Sequence, residues 1–242
     1  MICHLSKFLK DLTSLKRNES FNSYKIIMKR LLILLSVLVG GNILFAQTAP
    51  LGKDLIKGFS EKMQAYESIK AEFTFTLENL QEGFTDTHKG SLKFKGKSYF
   101  LDLMGMEVYF DGKTKWQYIP EANEVTISEP TSLDGGFFDD PTQIFRSYEQ
   151  DFKSKFMGEK IEGKLSLYEV ELYPEDISEP YSIIKITFKK QNLEPVSIKY
   201  QGKDGINYTI DIQNFKANQN LKNDEFTFIP AEHKGIVVVD ML

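Results

Sequence analysis

Cysteine and histidine are scarce in this sequence: its 242 residues include one cysteine, Cys3, and three histidines. Residues 47–242 therefore have no cysteine, which excludes a disulfide framework, a thiolate metal site and a cysteine nucleophile there. His88 and His233 stand in no metal-ligand spacing, and we expect both to be solvated surface residues. No G-x-S-x-G, phosphate-binding loop or G-x-G-x-x-G sequence occurs. Without a nucleophile-plus-base pattern, we predict a protein that is not an enzyme and that uses no cofactor or metal ion.

Basic residues are also in deficit over most of the chain. Residues 1–46 have seven basic and two acidic side chains, whereas residues 47–242 have 23 basic and 32 acidic ones. Binding to a phosphate backbone depends on clustered lysine and arginine. The acidic body of the chain therefore argues against a nucleic-acid partner.

One long apolar run lies near the amino terminus. Met28 opens a short basic stretch, which is followed by apolar residues 31–39 and ends at the small residue Ala46. This order of regions predicts a secretory signal peptide over residues 28–46. The apolar stretch is short for a membrane-spanning helix, and an uncleaved amino-terminal anchor is the alternative.

The signal peptide sets the predicted domain organisation. Residues 1–27 precede the start at Met28, and we interpret them as an over-extended start. Cleavage after Ala46, or after Ala49, leaves one mature domain over residues 47–242. Because no cysteine stands at the cut, the mature protein is not itself a lipoprotein, and we expect it to be soluble outside the cytoplasm.

Hydrophobic periodicity in the mature part predicts one helix followed by a large sheet. Apolar residues recur at helical spacing over residues 51–63. The period then changes to two, as in Phe73 and Phe75, and alternating segments continue to residue 240. About eleven short strands joined by hairpin-length connections, such as that at Asp111-Gly112, predict an α+β fold whose antiparallel sheet curls toward a barrel.

A Gly- and Asp-rich loop interrupts the strands. The residues that follow it, 142–152, predict a helix with Asp140 and Pro141 at its start. Phe137 and Phe138 are adjacent rings within the loop. They either pack on the outside of the sheet or belong to a mobile lid over the mouth of the barrel.

Aromatic residues are abundant, with 19 Phe, 11 Tyr and 1 Trp against 16 Gly. The interior of a small barrel is either filled by side chains or holds one apolar ligand. So many rings with so few catalytic patterns favour a ligand with a long hydrocarbon tail.

Four segments, in order, resemble the LolA family. Residues 90–103 resemble the strand pair that opens the family core, and residues 108–120 resemble its V-S-D-G-K-x-L-W-x-Y-x-P hairpin. Residues 140–145 resemble its P-x-x-L-L lid segment, and residues 223–230 resemble its F-x-F-x-P close. With the leading helix, the likeness covers about residues 50–242.

The resemblance implies a fold and a function. The family consists of periplasmic carriers that bind the acyl chains of lipoproteins in an incomplete, half-open antiparallel β-barrel with an amino-terminal helix and a helical lid. It implies a monomeric carrier that moves acylated lipoproteins from the inner to the outer membrane. The implied partners are an inner-membrane lipoprotein-releasing ABC transporter and, if one exists, an outer-membrane acceptor.

One departure from the family pattern concerns the lid. Where the family has Arg-Pro in its opening strand, this chain has Gly96-Lys97. In the family, that arginine is thought to help the lid close. The resemblance therefore does not say how the lid of this chain closes, and Lys95 and Lys97 are the candidate substitutes for the arginine.

Nine apolar residues are the predicted lipid-binding walls, and four are the predicted lid. Plain core packing is the alternative for each wall residue, and a one-residue slip of a strand would invert its assignment. The walls are Phe73, Phe75, Leu92, Phe94, Leu101, Phe110, Trp116, Tyr118 and Ile127, and the lid residues are Phe137, Phe138, Ile144 and Phe145.

Two other functions are compatible with the same residues. One is an envelope protein with a similar half-barrel that senses lipids or mislocalised lipoproteins, although such a protein would usually carry an additional domain. The other is a ligand-free structural domain with a filled core, which would not bind a hydrophobic dye.

Overall fold

The structure is a computed structural model that describes residues 48–129, 141–145, 148 and 151–242. Within these residues it has one α-helix, twelve β-strands and three short 3₁₀ helices. The helix is α1 (Thr48–Gln64), and the 3₁₀ helices are Pro141–Phe145, Asn223–Phe226 and Pro230–Glu232. The strands are β1 (Ser68–Asn79), β2 (Phe84–Lys95), β3 (Ser98–Leu103), β4 (Met106–Phe110), β5 (Lys115–Ile119), β6 (Glu124–Ser128), β7 (Phe152–Glu162), β8 (Leu165–Pro174), β9 (Tyr181–Lys189), β10 (Pro195–Gly202), β11 (Ile206–Ala217) and β12 (Val237–Asp240).

The strands form one open sheet in the order β12-β6-β5-β4-β3-β2-β1-β11-β10-β9-β8-β7. All neighbouring strands are antiparallel except β12, which runs parallel to β6. The sheet thus combines two meanders, β1 to β6 and β7 to β11, which meet where β1 pairs with β11. The chain between β6 and β7 connects opposite ends of the sheet.

The predicted amphipathic helix is confirmed as α1. Ile56, Phe59, Ser60 and Met63 share the i, i+3, i+4, i+7 spacing of one helical stripe, and all four are buried. The stripe packs on one face of the sheet, where the Phe59 ring stacks on that of Phe188 in β9 with 5.7 Å between centroids. We call this covered face of the sheet the inner face, and the opposite one the outer face.

Three predicted elements differ from the structure. The strand β7 was not predicted, because its alternation is weak and most of its residues are exposed. It begins at Phe152, where the predicted helix over residues 142–152 was to end, and the described helical residues there are only Pro141–Phe145. The alternating pattern that continues to residue 240 also predicts a strand over residues 225–228, but these residues include the end of the 3₁₀ helix Asn223–Phe226.

The described residues contain no helix that is both long and apolar enough to span a membrane. The predicted signal peptide over residues 28–46 and the predicted start segment before it lie outside the described residues.

Candidate functional site

The inner face has a continuous apolar surface. Its buried side chains come from α1, from β1 to β4, from β7 to β11 and from Phe145 and Tyr148, so the surface crosses most of the sheet. The side chains that the strands contribute include Ile69, Phe73, Phe75, Leu92, Phe94, Leu101, Val108, Val170, Ile184, Phe188, Ile198 and Ile210. Because all of them are apolar, this surface suits a hydrocarbon chain better than a polar ligand.

Six of the nine predicted wall residues lie on this face. Phe73, Phe75, Leu92 and Leu101 are at most 2% exposed and Phe94 is 9% exposed, while Phe110 is half-buried against the same cluster. The structure therefore brings these six residues together on one face. In the described state they are packed, so a ligand would reach them only by displacing the side chains that cover them.

A glycine in β2 allows one of these rings to lie flat on the sheet. Gly90 pairs with Phe73 across β1 and β2. A Cβ atom at Gly90 would lie 2.5 Å from Cζ of the Phe73 ring, which is far inside van der Waals contact. Only glycine therefore leaves room for Phe73 in its present position.

Two elements cover the apolar surface. The helix α1 covers the side near β7 to β10, where it lies so close that a Cβ at Gly52 would be 2.9 Å from the Phe156 backbone nitrogen. The 3₁₀ helix Pro141–Phe145, which we call the crossing segment, covers the middle. Its Phe145 ring is 5.6 Å from that of Phe94 in β2 and 6.1 Å from that of Phe215 in β11.

Of the four predicted lid residues, only Phe145 has a described side chain. It is 4% exposed and belongs to the inner cluster. Ile144 is in the crossing segment, but its side chain lies outside the described part of the chain, as do Phe137 and Phe138. The predicted lid is thus described only at the residue that contacts the apolar face.

Ser60 is a polar member of the inner surface that the sequence analysis missed. It lies on the buried stripe of α1 and is 1% exposed. Its Oγ atom has no hydrogen-bond partner, although buried hydroxyl groups usually have one. The sequence signal that could have identified Ser60 is a serine on a helical stripe whose other members are Ile, Phe and Met.

The other three predicted wall residues are a correction. Trp116, Tyr118 and Ile127 lie on the outer face, because Trp116 pairs with Tyr109 in β4 and with Ile127 in β6. The inner positions of β5 are Lys115 and Gln117. Alternation along β5 correctly separates apolar from polar residues, but it does not say which set faces the helix.

These three residues lie beneath the carboxy-terminal segment, which covers the outer face. Phe228 is 4% exposed, and its ring lies 4.8 Å from that of Tyr118 and 5.5 Å from that of Tyr109. His233 is partly exposed and stacks on Phe228 with 4.4 Å between ring centroids. A second apolar cluster thus lies on the outer face, with Tyr118, Val125 and Phe228 as its buried members.

The outer face also carries acidic groups. Asp102 and Glu107 are cross-strand neighbours in β3 and β4. Partial burial and the Glu107 charge raise the pKa of Asp102. Burial and the hydrogen bond that its hydroxyl donates to Glu107 Oε2, at 2.7 Å, hold the pKa of Tyr109 well above its ordinary value. The Tyr109 hydroxyl therefore remains a donor.

The remaining titratable candidates do not form a reactive site. His88 Nε2 lies 2.8 Å from Asp86 Oδ2 in a partly buried pair, and this hydrogen bond lowers the pKa of Asp86. Lys95, one substitute for the family arginine, donates to the Leu221 carbonyl at 2.8 Å, and Lys97 is exposed. Among the described residues, no three His, Cys, Asp or Glu side chains are grouped as metal ligands.

The family model "Outer membrane lipoprotein carrier protein LolA" matches residues 64–229, which span β1 to β11 and the 3₁₀ helix Asn223–Phe226. The chain belongs to the LolA family. Proteins of this family are binding or carrier proteins rather than enzymes.

Individual proteins are also similar to this chain. An uncharacterized protein of Methanocaldococcus jannaschii is 24% identical over 212 residues, covering 87% of this chain and 59% of that protein. The chain thus spans about three fifths of the length of this curated relative. A conserved protein of Thermus thermophilus shares the fold, with a TM-score of 0.51, 12% identity and coverage of 78% and 98% of the two chains. A LolA superfamily protein of Nitrosomonas europaea is 14% identical, with a TM-score of 0.39 and coverage of 76% and 99%.

Proposed function

We propose that this protein is a periplasmic carrier that binds the acyl chains of lipoproteins on its inner face and moves them from the inner to the outer membrane. The observation that carries the proposal is the continuous apolar inner face, closed in the middle by the crossing segment. Membership of the LolA family supports the same cargo.

The energetics of the inner face fit an acyl chain. Each buried methylene contributes about 0.8 kcal/mol, so a long chain gains roughly 10 kcal/mol before ordering costs. A carrier must also release its ligand to the next site. The Phe145 ring contacts Phe94 and Phe215, so displacing this ring would expose the middle of the face.

Ser60 supplies a hydrogen-bond donor for the head of an acyl ligand. Its unpartnered hydroxyl lies among Ile56, Phe59 and Met63, on the helix that covers the face. An ester or amide carbonyl at the head of an acyl chain is a matching acceptor. Replacing Ser60 by alanine should therefore stabilise the ligand-free protein and weaken acyl binding a few-fold, a combination that a purely structural serine would not produce.

The route follows from the proposal. Secretion directed by residues 28–46 would place the protein in the periplasm. There it would act as a monomer. The inner-membrane lipoprotein-releasing ABC transporter would load it, and an outer-membrane acceptor, where present, would unload it.

Native mass spectrometry tests the function directly. The full chain is expressed with its own amino terminus in a Gram-negative host and purified from the periplasmic fraction without detergent. We expect the mass of a chain whose first residue is near residue 47. We also expect additional bound mass that organic solvent extracts as acylated lipoprotein. A ligand-free mass that takes up no lipoprotein from inner-membrane vesicles would refute the proposal and favour the filled structural domain.

A pair of variants tests the crossing segment. Phe145→Ala removes the ring that contacts the inner face, whereas Phe100→Ala removes a ring from the outer face, where it lies 4.8 Å from that of Tyr109. We expect Phe145→Ala to take up a fluorescent fatty acid faster than the wild type. Phe100→Ala should match the wild type, and equal rates in all three proteins would contradict a gate at Phe145.

A further inference from the structure

The two edges of the sheet differ in how they are protected. Among the described strands, β7 and β12 each have a neighbour on one side only. The strand β7 carries the charged residues Lys153, Lys155 and Lys160, and its pairing with β8 is interrupted by an irregularity between Phe156 and Gly158. Charged side chains and bulges are features by which proteins prevent an edge strand from pairing with another chain.

The strand β12 has none of these features. It pairs with β6 in an uninterrupted register, contains no proline, and has Asp240 as its one charged residue. Val237, Val238 and Val239 are 53%, 45% and 38% exposed, and Met241, directly after the strand, is 63% exposed. A flat, apolar edge strand of this kind is a template for pairing with a further strand.

The hydrogen bonds to β6 show which backbone groups of β12 point outward. The Val237 nitrogen donates to the Asn123 carbonyl at 3.0 Å, and the Met241 nitrogen donates to the Ile127 carbonyl at 2.9 Å. Alternate residues of a strand face the same neighbour. The N–H and C=O groups of Val238 and Asp240 therefore point away from β6, toward the side on which no described strand lies.

These outward groups are complementary to the same groups of a second copy. In an antiparallel pair centred on Val239, Val238 of each copy lies opposite Asp240 of the other. Each of these two residue pairs exchanges two N–H···O bonds, so every outward N–H and C=O group is satisfied. Val239 then lies opposite Val239, and Val237 lies opposite Met241, which forms an apolar strip on one face of the joined sheet.

The neighbouring registers fit less well. A pair centred on Val238 would need Gly235 and Ile236 as strand residues, but Gly235 has a φ of +74° and the Ile236 nitrogen donates to the His233 carbonyl within the preceding turn. A pair centred on Asp240 would place two carboxylates directly opposite each other, which is destabilising. The register centred on Val239 avoids both problems.

We propose that two copies of this protein associate through antiparallel pairing of their β12 strands, which joins the two sheets into one. The partner is a second copy because the outward hydrogen-bonding groups, the apolar strip and the separated carboxylates of β12 all match those of β12 itself. Four backbone hydrogen bonds and one apolar strip form a contact smaller than the roughly 1,200 Å² of stable complexes. The dimer is therefore weak, and the protein is monomeric at low concentration.

Cysteine cross-linking tests the register. The full chain is purified as described above, with Cys3→Ser so that an introduced cysteine is its only one. Val239→Cys places two thiols at a directly opposed position of the dimer, within disulfide reach, whereas Val238→Cys leaves them diagonally apart. Both side chains are similarly exposed in one copy. Under mild oxidation we expect Val239→Cys to give at least about fivefold more covalent dimer than Val238→Cys, and equal yields would overturn the proposal.

A pair of lysine variants tests the association without a covalent bond. Sedimentation equilibrium from micromolar to millimolar concentration should show a monomer that becomes a dimer in the wild type. Val239→Lys places two ammonium groups opposite each other and should abolish the dimer, whereas Val238→Lys places an ammonium group opposite Asp240 and should retain it. Circular dichroism and thermal unfolding show that both variants fold, and if Val239→Lys does not, the cysteine pair decides.

Two results would overturn the proposal. One is a wild type that stays monomeric over the whole concentration range, which would leave the edge to a strand of another polypeptide. The other is an equal loss of association in Val239→Lys and Val238→Lys. Neither experiment uses a lipid, so failure of the dimer leaves the proposed acyl carrier unaffected, and failure of the carrier leaves the dimer unaffected.

Discussion

The strands alternate in the same way toward both faces of the sheet, but the two faces differ in the size of their apolar clusters and in the elements that pack on them. The inner cluster has 23 buried residues among those described, and a helix of 17 residues packs on it. The outer cluster has three buried residues among those described and is covered by the carboxy-terminal segment with its two 3₁₀ helices. The period of a strand makes one of its faces apolar, but the element that covers this face determines how stable the cluster becomes.

The two faces should also differ in how much they contribute to the global stability of the protein. The inner face holds most of the buried area, so it should dominate global stability. The outer cluster has only three buried residues among those described and lies near the exposed edge strand β12, so we expect it to open locally before the inner face does. The predictions below test this contrast, starting with the largest expected effect.

Removal of the ring at the centre of the inner face should have the largest effect. Phe59 is fully buried and stacks on Phe188. Phe59→Ala should lower the free energy of unfolding by about 4–5 kcal/mol, measured by urea denaturation followed by circular dichroism. Phe84→Ala, at an exposed position, should change it by less than about 0.5 kcal/mol. Similar losses in the two variants would refute the inner face as the main core.

The equivalent change on the outer face should cost less and act locally. Phe228→Ala should lower the free energy of unfolding by about 3 kcal/mol at most, and Trp116 emission should shift to the red while the circular dichroism of the sheet persists. Coincident urea transitions for the two signals would show that both faces unfold as one unit.

Overpacking of the inner face should have an intermediate effect. The Cβ of Gly90→Ala would clash with the Phe73 ring and approach the Asp102 carbonyl at 3.0 Å, so we expect a loss of about 2 kcal/mol. Adding Phe73→Leu should recover part of this loss, giving a favourable coupling energy in a double-mutant cycle. Strictly additive losses would contradict the predicted ring clash.

Much of the fold could be predicted from the sequence because the local patterns are strong. The stripe of Ile56, Phe59 and Met63 predicts α1, and the hairpin at Asp111-Gly112 is present, with Gly112 at a φ of +99°. The strand β7 could not be predicted, since it is an edge strand with few buried residues. The pairing of β1 with β11 joins residues that are far apart in sequence, and alternation alone does not specify such a pairing.

The candidate site could be predicted only in part, for the same reason. Phe73 and Leu92 are in strands that pair directly, so their common face follows from the local hairpin. Trp116 and Tyr118 alternate just as clearly, but they lie on the outer face because the register of the β4–β5 hairpin pairs Trp116 with Tyr109, and alternation alone does not give that register. Inner residues of β8 to β11, such as Ile198 and Ile210, have the same alternation and could have been added to the predicted walls.

The smallest effect is expected from charge on the outer face. Partial burial and Glu107 raise the pKa of Asp102, so the folded state binds its proton more tightly than the unfolded state does. Stability therefore decreases as the pH rises from the unfolded pKa of about 4 through the folded pKa. Asp102→Asn removes this decrease, so the variant should be slightly more stable than the wild type at pH 7.

Below about pH 3 the wild-type carboxyl is protonated in both states, and the two proteins should converge. Asp54→Asn makes the same substitution at an exposed position of α1, and should follow the wild type at every pH. A series of urea denaturations from pH 3 to pH 8 distinguishes the cases. A difference between Asp102→Asn and the wild type that is the same at every pH would show that Asp102 acts through packing rather than charge, and the outer face would then differ from the inner one only in how it is covered.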